Sequence, residues 1–122
     1  MKRLIGIKIL AAILVIISLA SDSLAQTRIR FARGATSTTL SGTLAAGASR
    51  GYVIRLSSGQ TFTVDVSSGN DEISIRVRDV HGPFDEEYGS FETETDANGD
   101  HNITIRNNGR RSTRFTMTVS AY

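Results

Sequence analysis

The sequence of 122 residues contains no cysteine and a single proline, and no lysine follows Lys8. The absence of cysteine excludes disulfide bonds, so a stable domain must rely on its apolar core. After residue 25, no segment repeats its apolar residues at helical spacing over about ten residues, which excludes a helical domain. The motifs G-x-S-x-G and H-E-x-x-H and the phosphate-cradling loops are also absent. The common signatures of hydrolases, metallopeptidases and nucleotide-binding proteins are therefore missing.

The first 25 residues have the pattern of a secretory signal peptide. Lys2-Arg3 supplies a positive start, an apolar run covers residues 9–19, and Ser23-Leu24-Ala25 places small residues at a cleavage position. The run is shorter than the ~20 residues that span a bilayer. We therefore expect cleavage after Ala25, or after the similar site at Ala20. The mature domain is then residues 26–122, periplasmic or secreted, with no membrane contact.

Removal of the signal peptide changes the charge balance. Three of the 14 basic residues and one of the 12 acidic residues lie in residues 1–25, so residues 26–122 carry equal numbers of each. The basic isoelectric point of the full sequence therefore does not indicate affinity for nucleic acid. We predict no nucleic-acid partner.

Alternating apolar and polar residues mark about eight strands in the mature domain. The clearest are two runs within residues 59–79, separated by a turn rich in Ser, Gly, Asn and Asp, which we predict to form a β-hairpin. His81-Gly82-Pro83 is predicted to be a loop, because proline lacks the donor for a β-ladder. Short strands at this spacing predict an all-β fold, an antiparallel, jelly-roll-like β-sandwich. A closed barrel is the alternative.

Several short motifs occur in an order that resembles two known families. They are Ile29-Arg30-Phe31-Ala32-Arg33-Gly34, Ser41-Gly42, Tyr52, Gly59-Gln60, Asn98-Gly99-Asp100 and Ile103-Thr104-Ile105-Arg106. Their order resembles the periplasmic inhibitors of goose-type (g-type) lysozyme and the bacterial pre-peptidase C-terminal domains. The resemblance implies a β-sandwich that binds a partner and has no catalytic activity and no cofactor. The partner is either a g-type lysozyme or, for an accessory domain, calcium, a glycan or an envelope or matrix protein.

A basic turn near the C-terminus is the candidate contact with a protein partner. Its residues are Arg106, Asn107, Asn108, Arg110, Arg111 and Arg114. Guanidinium groups pair well with carboxylates, and muramidases carry catalytic carboxylates in their clefts. We predict that this turn contacts the partner, with a g-type lysozyme as the specific candidate. The alternative is a solvated turn whose arginines protect an edge strand.

The segment from Asp79 to Asp100 contains eight acidic residues and no lysine or arginine. Within it, weak candidates for calcium ligands are Asp96, Asn98 and Asp100. These residues offer oxygen ligands but lack the spacing and the distal glutamate of an EF-hand loop. The alternative is a charged surface that keeps the domain soluble.

The two histidines and three of the aromatic residues have weaker functional signals. His81 and His101 are isolated in turn-like segments, where we expect surface residues rather than members of a catalytic triad. We predict no catalytic residues. Tyr52, Tyr88 and Phe91 could form an aromatic binding platform, but packing in the core or at a sheet edge is the favoured interpretation.

Overall fold

The computed structural model describes residues 26–122, and the predicted signal peptide lies outside these residues. The described residues form β-strands and no helix. The strands are β1 (Thr27–Ile29), β2 (Ser37–Leu44), β3 (Ser49–Leu56), β4 (Thr61–Ser68), β5 (Ile73–Asp79), β6 (Gly82–Pro83), β7 (Glu87–Tyr88), β8 (Ser90–Glu94), β9 (Gly99–Asn107) and β10 (Thr113–Ala121).

The strands form two sheets that pack face to face. The six-stranded sheet has the order β1-β3-β9-β5-β6, with β7 also paired to β5, and the four-stranded sheet has the order β2-β10-β4-β8. The pairings among these strands are antiparallel, except that β1 runs parallel to β3. The chain changes sheet at every connection between long strands. The predicted all-β sandwich is confirmed, with ten strands rather than about eight.

The predicted hairpin in residues 59–79 is wrong. β4 lies in the four-stranded sheet between β10 and β8, whereas β5 lies in the six-stranded sheet beside β9. The intervening turn, in which Asp71 has a φ of 53°, carries the chain from one sheet to the other. The two apolar faces therefore cover each other across the core instead of lying side by side. Periodicity defines the face of each strand but not its neighbour.

The loop prediction for His81-Gly82-Pro83 is also wrong for its last two residues. Gly82 and Pro83 form β6, in which Pro83 lies opposite Arg78 of β5. This strand is the outermost of its sheet, so the missing N–H of the proline leaves no ladder bond unmade. β6 and β7 account for the two strands that the sequence pattern does not predict.

The core lies between the sheets and contains the alternate residues of each long strand. Its buried apolar residues are Ile29, Leu44, Tyr52, Ile54, Leu56, Phe62, Val64, Ile73, Ile75, Val77, Phe91, Ile103, Ile105, Phe115, Met117, Val119 and Ala121. Phe62 packs edge-on against Phe91, with 6.2 Å between the ring centroids. Each large buried side chain contributes roughly 1.5–3 kcal/mol to folding. Burial of this kind is the main stabilising contribution in a domain without disulfides.

His101 is part of this core, so its prediction as a surface residue is wrong. Its side chain is only 1% exposed and lies beside Phe62. Nδ1 is 3.1 Å from the carbonyl oxygen of Gly99, and Nε2 has no hydrogen-bond partner. His101 lies on the same face of β9 as Ile103 and Ile105, which is the face toward the core. Its position in the alternation of the strand, and not its polarity, therefore decides that it is buried.

Candidate functional site

Three turns lie together at one end of the sandwich. They are residues 45–48, 69–72 and 108–112, and each connects one sheet to the other. The strand registers bring them together, since Leu44 pairs with Thr113 and Ile73 pairs with Asn107. We call this part of the molecule the basic end, because the predicted basic turn belongs to it.

Asn107 is fully buried beneath the basic end, at 0% exposure. Its Nδ2 donates hydrogen bonds to the carbonyl oxygens of Leu44, at 3.0 Å, and Arg111, at 2.8 Å. Its Oδ1 accepts hydrogen bonds from Nδ2 of Asn70, at 3.1 Å, and the backbone N–H of Gly109, at 2.9 Å. Two carbonyl oxygens therefore face Nδ2 and two donors face Oδ1, which leaves no ambiguity in the orientation of the amide.

The backbone of Asn107 extends the same connections. Its N–H donates to the carbonyl oxygen of Ala48, at 3.0 Å, and its own carbonyl oxygen accepts from the N–H of Gly47, at 2.8 Å. One residue thus joins all three turns. The side chain of Asn107 is buried, so it cannot contact a partner directly as predicted. It instead holds the turn in place.

Asn108 is exposed and is held from three directions. Its N–H donates to the carbonyl oxygen of Glu72, at 2.9 Å. Its Nδ2 donates to the hydroxyl groups of Ser74, at 3.0 Å, and Tyr88, at 3.3 Å. Tyr88 is 58% exposed, whereas Tyr52 and Phe91 are buried, so the three aromatic residues do not form a platform. The hydroxyl of Tyr88 instead lies beside the basic turn.

The four arginines of the predicted contact surround the turn. Arg106, Arg110, Arg111 and Arg114 are all exposed, and none forms a salt bridge with a described residue. Arg106 lies on the outer face of the six-stranded sheet, and Arg114 lies on the outer face of the four-stranded sheet. Arg110 and Arg111 occupy the turn between these two faces. The arrangement places positive charge on the outer faces of both sheets and on the turn between them, with no salt-bridge partner in the described part of the chain.

A fifth arginine at the basic end is not identified by the sequence pattern. Arg50 of β3 occupies a core-facing position, in step with Tyr52, and its guanidinium lies 5.5 Å from the centroid of the Phe115 ring. Its Nη2 donates to the carbonyl oxygen of Thr43, at 3.0 Å. A Cβ added to Gly42 would lie 2.6 Å from Nη1 of Arg50, so the glycine provides the space for this group. The signal that could have identified Arg50 is its charge at a position of β3 where the alternation predicts an apolar residue.

An open depression of about 400 Å³ adjoins the basic turn on the four-stranded sheet. Its lining includes Ser41, Ser67, Ser68, Arg114 and Thr116. These are hydroxyl groups and one guanidinium, without a histidine or a carboxylate. The depression can accept polar groups of a partner but contains no acid–base pair for catalysis.

The Arg28–Asp100 pair lies on the outer face of the six-stranded sheet, away from the basic turn. Nη1 and Nη2 of Arg28 donate to the two carboxylate oxygens of Asp100, at 3.1 and 3.0 Å. This bidentate contact lowers the pKa of Asp100 below its ordinary value and raises the pKa of Arg28. Both side chains are partly exposed, so solvent weakens the pair.

The three predicted calcium candidates are not brought together as a site. Both oxygens of Asp100 accept bonds from Arg28, and Oδ1 of Asn98 accepts the backbone N–H of Ser58, at 2.8 Å. Asp96 remains exposed. Within residues 26–122 there is no group of three or more His, Cys, Asp or Glu side chains that could hold a metal ion.

The histidines do not form a catalytic arrangement with a serine. His81 is exposed and has Nε2 3.8 Å from a carboxylate oxygen of Asp96, whereas His101 is enclosed in the core. In the described part of the chain, neither ring forms a hydrogen bond with a serine hydroxyl. This part of the chain also contains no helix long and apolar enough to cross a membrane.

Comparison with known proteins gives structural likeness without sequence likeness. No family model and no curated protein matches the chain. A periplasmic inhibitor of g-type lysozyme from Aeromonas hydrophila, PliG, is similar in structure, with a TM-score of 0.68 and 21% identity. The match covers 80% of this chain and 96% of that chain. The chain has the fold of PliG.

Two further solved structures share this fold. The PliG of Salmonella Typhimurium has a TM-score of 0.61 and 16% identity, over 80% of this chain and 97% of that chain. The pre-peptidase C-terminal domain of a collagenase from Bacillus anthracis has a TM-score of 0.56 and 14% identity, over 80% and 95%. At these identities the likeness shows a common sandwich, while activity must be argued from the site.

Proposed function

We propose that the chain is an exported binding module that inhibits a g-type lysozyme through the basic end. The observation that carries the proposal is a set of exposed arginines, without a salt-bridge partner among residues 26–122, on a turn that buried Asn107 holds in place. The fold likeness to PliG supports the choice of partner. PliG is a periplasmic protein, and this location and the predicted signal peptide support export.

Rigidity of the turn favours binding. An interface that is ordered before binding does not lose the conformational entropy of its loops and side chains on association. The connections of Asn107 to Leu44 and Arg111, and of Asn108 to Ser74 and Tyr88, restrict the turn from both sides. The backbone of the turn is therefore already in one conformation when a partner arrives.

Charge favours an acidic cleft as the partner surface. Glycoside hydrolases act through a pair of carboxyl groups that flank the scissile bond. Arg106 lies on the outer face of one sheet and Arg114 on the outer face of the other, with Arg110 and Arg111 on the turn between them. A cleft that encloses the turn therefore meets positive charge on both of its walls. Guanidinium groups form bidentate hydrogen bonds with carboxylates, and such contacts exclude substrate from the same groups.

The test is titration of purified residues 26–122 into a g-type lysozyme while lysis of cell walls is measured. We expect inhibition that weakens as salt concentration rises, since the contacts are ionic. The double variant Arg110→Ala/Arg111→Ala should raise the half-inhibitory concentration by roughly tenfold or more, because interfacial arginines are frequent binding hot spots. Undiminished lysis at micromolar excess of the wild-type domain would refute the proposed inhibition.

A matched control removes the same charge at the other end of the sandwich. Arg30 and Arg33 are exposed and follow β1, far along the chain from the basic turn. Arg30→Ala/Arg33→Ala should leave the half-inhibitory concentration within about twofold of wild type, because long-range attraction between exposed charges is screened. An equal loss in both double variants would indicate net charge rather than a specific contact.

The second candidate is an accessory domain that binds an envelope or matrix protein, a glycan or calcium. The likeness to the Bacillus anthracis pre-peptidase domain favours it. Capture of a specific envelope component by the immobilised domain, together with no effect on lysozyme, would support it. Calorimetry with calcium tests the metal version, for which absence of both heat and a shift in melting temperature is the negative result.

A further inference from the structure

Three of the four sheet edges in the described sandwich are protected against pairing with another chain. In the six-stranded sheet, β1 has three residues and carries Arg28, while β6 and β7 have two residues each and include Pro83. In the four-stranded sheet, the edge strand β8 carries Glu92 and Glu94. Short length, proline and charge are the usual devices that prevent edge-to-edge association.

The fourth edge, β2, has none of these devices. It extends over eight residues, Ser37–Leu44, with the sequence STTLSGTL. It contains no charged residue and no proline, and its register with β10 is continuous from Ser37–Ser120 to Leu44–Thr113, without a bulge. A long, uncharged and regular edge is a template for another strand.

The phase of the ladder identifies the free backbone groups. The N–H of Ala121 donates to the carbonyl oxygen of Thr36, at 2.9 Å. In an antiparallel pair, alternate residues direct both backbone groups to the same side. The backbone N–H and C=O groups of the even-numbered residues of β2 therefore point toward β10. Those of the odd-numbered residues point away from β10, at the open edge of the sheet. The carbonyl oxygen of Thr43 already accepts a hydrogen bond from Nη2 of Arg50. The backbone N–H and C=O groups of Ser37, Thr39 and Ser41 therefore remain available to a partner strand.

We propose that β2 pairs antiparallel with β2 of a second copy, about a two-fold axis at Thr39. Ser37 then lies opposite Ser41 of the other copy, and Thr39 lies opposite itself, so the free groups bond one another. Leu40, only partly buried in one copy, lies opposite Thr38 on the core side and is covered. An uncharged strand meets its own copy without repulsion, whereas two copies of a glutamate-bearing edge would repel.

The dimer leaves the proposed lysozyme contact free. The basic end lies beyond Leu44, at the C-terminal end of β2. Antiparallel pairing about Thr39 directs the basic ends of the two copies in opposite directions. Dimerisation and inhibition are therefore separate properties, and failure of one leaves the other intact.

The test is sedimentation velocity of residues 26–122 from about 10 to about 500 μM, since a short edge contact is smaller than a standard interface and needs high concentration. We expect a reversible monomer–dimer equilibrium. Ser41→Pro removes one outward N–H and preserves the ladder with β10, so it should weaken dimerisation by roughly tenfold. Thr39→Lys places like charges at the axis and should weaken dimerisation at least as much.

The matched control is Thr116→Lys on β10, the central neighbour of β2 on the same face. Thr116 is exposed and pairs with Ser41 and Ser67. The Thr116→Lys variant adds the same charge to the outer face of the four-stranded sheet but not to its β2 edge. Dimerisation should therefore stay within about twofold of wild type, because exposed charges are screened. Circular dichroism melting confirms that each variant is folded. A monomer throughout the range, or a dimer that Ser41→Pro and Thr39→Lys leave unchanged, would overturn the proposal.

Discussion

Replacement of Asn107 by alanine tests whether one buried amide holds the basic end together. The change removes four side-chain hydrogen bonds, to Leu44, Arg111, Asn70 and Gly109. Each contributes about 0.5–1.5 kcal/mol net. The turn residues Gly109 and Arg111 can bond to water instead, whereas the carbonyl of Leu44 lies in a buried residue. We therefore expect a loss of about 2–4 kcal/mol from the free energy of unfolding.

Urea denaturation, followed by far-ultraviolet circular dichroism, measures this loss. The control is Asn108→Ala, which removes two side-chain hydrogen bonds at an exposed position and should reduce the free energy of unfolding by less than about 1 kcal/mol. Asn107→Asp places a carboxylate oxygen against the carbonyl oxygens of Leu44 and Arg111, so at neutral pH it should be worse than alanine. Equal effects of Asn107→Ala and Asn108→Ala would show that the reasoning is wrong.

Two further variants test individual contacts. Because Arg28 lowers the pKa of Asp100, the stability from this pair is fully present above the unfolded pKa, about 3.9, and is lost as pH falls through the folded value. Asp100→Asn should reduce the stability difference between neutral pH and pH 3 in thermal melts, and an unchanged difference would contradict the assignment. In Gly109→Ala, the new Cβ would lie 2.5 Å from Nδ2 of Asn70 and 2.6 Å from Oε2 of Glu72, so displacement of these two side chains should cost about 1 kcal/mol. The cost in urea denaturation should shrink in an Asn70→Ala background, and full additivity would refute the contact.

The sequence predicts the strands and their apolar faces well. Phe62 and Val64 of β4, and Ile103 and Ile105 of β9, are buried as their alternation indicates. The side chain of each residue in a strand follows from local backbone geometry, so a period of two is sufficient to assign it. The same rule places His101 inside, where its polar character alone suggests the surface.

The basic turn is predicted in part. Its arginines can be identified from composition, but the burial of Asn107 and the exposure of Tyr88 beside Asn108 cannot. These depend on which turns meet at one end of the sandwich. The three turns are separated from one another in the chain by twenty residues or more. They come together only when both sheets have formed, and no local pattern encodes that contact.

The sequence by itself determined that residues 26–122 form an all-β domain without disulfide bonds and with a basic turn, since strand periodicity and turn composition are local properties. Only the tertiary structure decided that β4 and β5 lie in different sheets, that Asn107 joins three turns, and that β2 is the unprotected edge among the described strands. The physical reason is that a strand carries the same two faces whichever neighbour it takes. Its neighbours are chosen by how the two apolar faces of the whole chain cover each other.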